Sequence, residues 1–206
     1  MPRPRFNKLK PKKRERILEA AAKEFAAHSY DGASLNQILD HAGISKGAAY
    51  YYFDDKADLY TTTILHYSQQ LMGELSFDPD LLTAANFWDE IANLYRQQLT
   101  AYVDRPWVFG VAKAGGSLPA DLQAHQALRQ LLEQAQFLLL QLLRKGHELG
   151  VVRDDLPEEL LLALVIAVDD AHDRWLYAHW QEHTTAKLEA AALRASDTLR
   201  RLLSPA

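Results

Sequence analysis

The chain has 206 residues, 48% hydrophobic and 24% charged, a length that suits one domain or two small ones and supports a sizeable core. Eight prolines and nine glycines are too few for a disordered or fibrous protein, and the lack of cysteine excludes a disulfide framework, a thiol nucleophile and a zinc–thiolate site. The net charge of −4 hides an asymmetry: residues 1–60 carry 11 Lys and Arg against 8 Asp and Glu, whereas residues 61–206 carry 12 against 19.

In chain order, Arg3, Arg5, Lys8, Lys10, Lys12, Lys13, Arg14 and Arg16 are opposed only by Glu15. This is a basic arm beside an acidic body, read either as a contact for a polyanion or as a solvated leader. After Pro11, Ile17, Ala21 and Phe25 beside Leu18, Ala22 and Ala26 form two i, i+4 rows, predicting a helix that fades between His28 and Gly32. Ser34 with Gln37 has the form of a capping box opening a short helix to about His41, and Gly43 breaks it. Ser45 caps a second short helix, Lys46 to about Tyr52, and Asp54 or Asp55 caps a longer one carrying Leu59, Ile64 and Leu71. Further helices are expected over about Ala84–Asp104, near Trp107–Ala114, and over Pro119–Leu149, Pro157 to about Glu182, and Thr185–Leu203. No stretch alternates like a strand, so the expected fold is all-α with about nine helices. The longest apolar run, Leu160 to Val168, is well short of the roughly 20 residues that cross a bilayer, and no N-terminal stretch resembles a signal peptide. The expectation is a cytoplasmic protein with no membrane partner.

Residues 34–53 read as two short helices joined by a Gly-containing turn, the grammar of a helix-turn-helix. Leu35, Ile38, Leu39, Ala42, Ile44, Ala49 and Phe53 are placed to lock the pair, while Tyr50, Tyr51 and Tyr52 cannot all face inward from neighbouring helical positions. Phe25, Gly32, Ser34, Ala42, Gly43, Ile44, Ser45, Lys46, Gly47, Tyr50, Phe53, Lys56 and Leu59 occur in the order of the N-terminal signature of the TetR family of transcriptional regulators. Over about residues 10–62 the sequence closely resembles that family. The resemblance implies an N-terminal three-helix DNA-binding domain, residues 1–54, and a C-terminal helical domain, residues 55–206, that binds an effector and dimerises. It also implies a short third helix in the major groove, which places Ser45, Lys46, Gly47, Ala48, Tyr50 and Tyr51 nearest the bases. Ser34, Gln37 and Lys56 join them as candidate DNA contacts, Ser34 being readable as a helix cap or a phosphate contact. Tyr52 is a further candidate, standing where the family often has histidine.

The resemblance puts a dimer interface on the last two helices, with Leu161, Leu164, Val165, Val168, Leu188, Ala192 and Leu199 as the expected apolar stripe. The candidate effector residues are Trp88, Tyr95, Tyr102, Trp107, Phe109, Phe137, Asp169, His172 and Asp173, an aromatic and acidic supply that fits either a cavity or a filled core. Asp170 and Arg174 read as a surface i, i+4 pair, and the acidic residues beside aromatic ones also suit a cationic, hydrophobic ligand. His172, His179 and His183 share one helical face, but without an HExxH pattern they read as surface histidines, so no metal and no cofactor are expected.

The expected function is a ligand-responsive homodimeric regulator, a repressor released from a palindromic double-stranded DNA operator when a small hydrophobic effector binds. A rival reading is a metal hydrolase built on Asp169, His172, Asp173 and His179. Another is a helical interaction or lipid-binding protein that makes no salt-dependent contact with DNA.

Overall fold

The computed structural model describes residues 2–103, 105–114, 122, 126–179 and 185–205, and within them the chain is all-helical. The α-helices are α1 (Pro4–Asn7), α2 (Pro11–Gly32), α3 (Leu35–Ala42), α4 (Lys46–Tyr52), α5 (Lys56–Glu74), α6 (Phe87–Val103), α7 (Pro106–Ala114), α8 (Gln126–Glu148), α9 (Glu158–Ala178) and α10 (Thr185–Leu203). A 3-10 turn covers Pro79–Leu81. The expected all-α class therefore holds. The residues before Gln126 in the expected Pro119–Leu149 helix, Leu122 excepted, lie outside the described residues, as do Gln181, Glu182 and His183. The chain gathers into two compact units, Met1–Gln70 with Arg105–Leu131 and Leu71–Asp104 with Leu132–Ala206.

In the first unit α2 begins with Pro11 in its first turn, where a missing N–H is harmless, and buries Ile17, Leu18, Ala21, Ala22 and Phe25 against α3 and α7. Ser29, at φ 56, kinks its end, a left-handed backbone that a non-glycine residue adopts only under constraint. The predicted break at Gly43 is a Schellman stop: Gly43 at φ 62 donates to the Asp40 carbonyl and Ile44 to the Leu39 carbonyl. Asp55 accepts from the Asp58 N–H at 2.8 Å while Asp58 accepts from the Asp54 N–H at 3.1 Å. This reciprocal bonding of orphan donors starts α5 where the two predicted caps stand. Helix α1 was not foreseen; four residues in a basic run offer no periodicity, and α1 owes its order to Phe6, which is buried.

In the second unit Phe87, Ile91, Leu142, Leu143, Val152, Leu161, Val165, Leu199 and Leu203 share one core, with α10 lying along both α6 and α9. Thr83 and Asn86 exchange backbone and side-chain bonds, which turns the chain from Ala84 and delays the regular helix to Phe87. Helix α8 ends in a second Schellman stop at Gly150, φ 68, with Val151 and Gly150 donating to the carbonyls of Gly146 and His147. Gly146 itself lies against the core: a Cβ there would meet Val152 Cγ2 at 2.3 Å and Phe87 Cζ at 3.0 Å. Among the described residues no helix is long and apolar enough to cross a membrane.

The stripe expected at the dimer interface divides by burial. Leu161, Val165, Leu188, Ala192 and Leu199 are buried inside their own unit, and Leu164 and Val168 are half-buried. A helical stripe fills whichever core it meets first, and here that core is intramolecular. The exposed apolar residues of these helices are instead Leu160, Ile166, Trp175 and Tyr177 on α9 and Leu193 on α10.

Candidate nucleic-acid interface

Of the positions expected to lock α3 to α4, Ile38, Leu39, Ala42, Ala49 and Phe53 are buried, and Leu35 and Ile44 are half-buried. Their N-termini are built alike. The Ser34 hydroxyl accepts from the Gln37 N–H at 3.4 Å, and the Ser45 hydroxyl from the Ala48 N–H at 3.2 Å. Each hydroxyl spends a lone pair on its helix and keeps its O–H to donate, so capping and phosphate binding are compatible roles. Lys46 and Gly47 are exposed, Ala48 is half-buried, and Tyr50 and Tyr51 stand 47% and 48% exposed on α4. Gln37 is exposed on α3. The structure thus collects Gln37, Ser45, Lys46, Gly47, Tyr50 and Tyr51 on the open surface of one small helix pair.

Two candidates stand apart from that surface. Tyr52 is buried, its ring 6.1 Å from that of Phe6, and so is a packing ring, the inward member of a run that cannot all face out. Lys56 donates to the Asp31 carbonyl at 3.2 Å with its ammonium 4.9 Å from the Tyr30 ring centroid, which ties α5 to the end of α2. Sequence reasoning also missed Glu24. It is 9% exposed and accepts the Ser34 N–H at 2.9 Å, which fixes the start of α3 against α2. Its signal was an acidic residue seven positions after Ile17, on the face that faces the core.

Residues 17–62 match the model of the family described as bacterial regulatory proteins, tetR family. Over that stretch the chain is similar to the TetR family. The HTH-type transcriptional regulator SrpR of Pseudomonas putida is 38% identical over 68 residues, 33% of this chain and 31% of that one. The match thus spans about a third of SrpR's length. The HTH-type transcriptional repressor AcnR of Corynebacterium diphtheriae is 28% identical over 149 residues, 72% of this chain and 73% of that protein. Among solved structures, the transcriptional regulator FadR from Bacillus subtilis, in complex with stearoyl-CoA, superposes at a TM-score of 0.69 with 18% identity, covering 89% of this chain and 97% of that one. These relatives and the TetR family are transcriptional regulators, not enzymes.

The candidate effector residues fall in both units. Trp107 and Phe109 belong to the first unit, where Phe109 is fully buried and Trp107 lies under the Lys23 ammonium at 4.3 Å. Phe137 is 59% exposed on α8. Trp88 is partly buried against the core of the second unit. Tyr95 donates to Asp169 Oδ1 at 2.9 Å, and burial, then the Asp169 charge, holds its hydroxyl well above the usual tyrosine range. Burial pushes the Tyr102 hydroxyl up to about 12. Tyr95, His172 and Asp173 do share a cleft with Leu99, Trp175 and Arg194, but its volume is about 20 Å³, room for no more than about one water. His172 sits below its ordinary pKa chiefly because it is partly desolvated, with Arg194 adding to the effect and Asp169 opposing it.

The neighbouring charges have plain partners: Arg174 meets Asp170 at 2.6 Å, the i, i+4 surface pair. Of the three aligned histidines, His172 meets Thr198 Oγ1 at 3.3 Å, His179 meets the Trp175 carbonyl at 2.7 Å, and His183 lies outside the described residues. Among the described residues no three His, Asp or Glu side chains are placed to hold a metal ion.

Proposed function

We propose that the chain is a dimeric repressor that binds a palindromic double-stranded DNA operator through α4 and lets go when a small hydrophobic effector occupies its C-terminal body. The observation that carries this reading is the exposed cluster of Lys46, Tyr50 and Tyr51 on a helix whose preceding turn matches the family signature. Lys46 reaches a phosphate or a guanine edge, and the tyrosines supply hydroxyls to phosphates and rings to thymine methyls. Ser34, Gln37 and Ser45 support register through contacts to the DNA backbone, and the protein backbone at Gly47 and Ala48 approaches closely. In this division residues 1–54 read DNA, and residues 55–206 hold the effector and the dimer contact.

A single seven-residue helix reads too few bases for useful affinity, so the reading requires two subunits and two half-sites about 34–36 Å apart, or a multiple of that. The dimer face we assign is the exposed apolar one, Ile166 and Tyr177 on α9 with Leu193 on α10. That AcnR is a repressor and that FadR holds stearoyl-CoA support repression and a hydrophobic effector respectively. The effector acts by changing the spacing of the two recognition helices, for which a coupling of about 1–3 kcal/mol is enough. A closed cleft around Tyr95, His172 and Asp173 fits an effector-free state that opens on binding.

The pair Ile166→Asp and Leu193→Arg tests the assembly. Sedimentation is expected to show monomers that keep helical content but bind the operator at least about 100-fold more weakly. A variant that remains dimeric with unchanged affinity contradicts the assigned face.

A further inference from the structure

Helix α1 and helix α4 are each too short to hold shape alone, since the first turn of an isolated helix costs more than it returns. They are fastened to one another. The Arg3 N–H donates to the Tyr52 carbonyl at 2.9 Å, satisfying one of the acceptors that the end of α4 leaves without a helical partner. The Arg3 guanidinium donates through Nε and Nη2 to Asp54 Oδ1 at 2.9 and 2.7 Å, just past α4. Phe6 is 1% exposed, with its ring centroid 4.7 Å from that of Phe53 and 6.1 Å from that of Tyr52. The Arg5 guanidinium lies 4.3 Å over the Tyr51 ring, one of the two exposed tyrosines. From α2, Lys13 stands 5.9 Å over the Tyr52 ring.

We propose that the N-terminal segment Arg3–Asn7 is a strut that sets the position of the recognition helix and the stance of Tyr51, so that its apolar residue Phe6 controls DNA affinity without touching DNA. The proposal rests on the DNA-binding reading above and differs from a charged arm in what it makes essential. An arm that only attracts phosphates needs its arginines and lysines and is indifferent to Phe6. A strut needs Phe6, because burial of that ring between Tyr52 and Phe53 is what holds the segment down.

The test uses the full chain with Phe6→Ala and Phe6→Leu, neither of which changes charge. Operator affinity is measured over a range of salt, and amide exchange is followed at the Phe53 N–H, which bonds the Ala49 carbonyl at 2.8 Å. The expected result for Phe6→Ala is an affinity loss of at least about tenfold with the salt slope of the wild type, since the slope counts phosphates neutralised. Exchange at Phe53 is expected to quicken by a similar factor, and Phe6→Leu to restore both to within about threefold. Wild-type affinity in Phe6→Ala overturns the proposal, and so does a loss accompanied by a shallower salt slope. If the wild type itself shows no salt-dependent operator binding, the DNA reading fails. In that event unchanged exchange at Phe53 in Phe6→Ala overturns the strut, and quickened exchange supports it.

Discussion

A variant carrying Lys46→Ala and Tyr50→Ala is expected to fold like the wild type and to lose at least about 100-fold in operator affinity. Both side chains are exposed, with neither in the core, so truncation is expected to change stability by no more than about 0.5 kcal/mol. Base-edge and phosphate contacts of this kind are worth about 1–3 kcal/mol each, every 1.4 kcal/mol is tenfold, and a dimer loses each contact twice. Removing one lysine from each of two subunits is also expected to reduce the slope of log affinity against log salt by about 2. Equilibrium binding by fluorescence anisotropy at several salt concentrations, beside thermal unfolding, separates the two effects. Equal affinity of the variant and the wild type places the contact elsewhere.

Gly146→Ala is expected to destabilise the chain by up to about 2 kcal/mol, against what helix propensity alone predicts. In a helix interior, alanine is favoured over glycine by about 1 kcal/mol. At this position the new methyl would meet Val152 Cγ2 at 2.3 Å and Phe87 Cζ at 3.0 Å, in the core shared by α6, α8 and the loop before α9. Overpacking of that kind typically costs 1–3 kcal/mol, a large part of a total stability of roughly 5–15 kcal/mol. Gly73 is the control: it lies inside α5 with nothing within 4 Å of its added Cβ, so Gly73→Ala is expected to be neutral or slightly stabilising. Urea unfolding of the two variants checks both signs, and stabilisation by Gly146→Ala contradicts the packing described.

The helix-turn-helix was legible because each of its features is local. Ser34 and Ser45 mark helix starts, Gly43 marks a stop that only a left-handed residue makes easily, and the apolar positions between them repeat at helical spacing. The same signals placed α4 at Lys46–Tyr52 and α10 at Thr185–Leu203. Three things were not local. Helix α1 depends on Phe6 reaching Tyr52 and Phe53, more than 40 positions away, and basic composition masked it. Apolar stripes on α9 and α10 announced burial without saying against what, and Leu161, Val165, Leu188, Ala192 and Leu199 are buried within the chain itself. Aromatic residues from Trp88 to Phe137 fitted a cavity or a filled core alike; Trp107 and Phe109 lie in the first unit, Trp88, Tyr95 and Tyr102 in the second, and Phe137 is exposed on α8. Composition counts rings; only the fold decides which of them meet.

Selection of bound duplexes from a random DNA pool by the wild-type protein, at two salt concentrations, tests the central claim most directly. The account predicts enrichment of an inverted repeat with half-sites one helical turn, or a multiple, apart, and binding that weakens steeply as salt rises. Failure to enrich any sequence, with wild type and the Lys46→Ala, Tyr50→Ala variant binding equally and weakly, would contradict it.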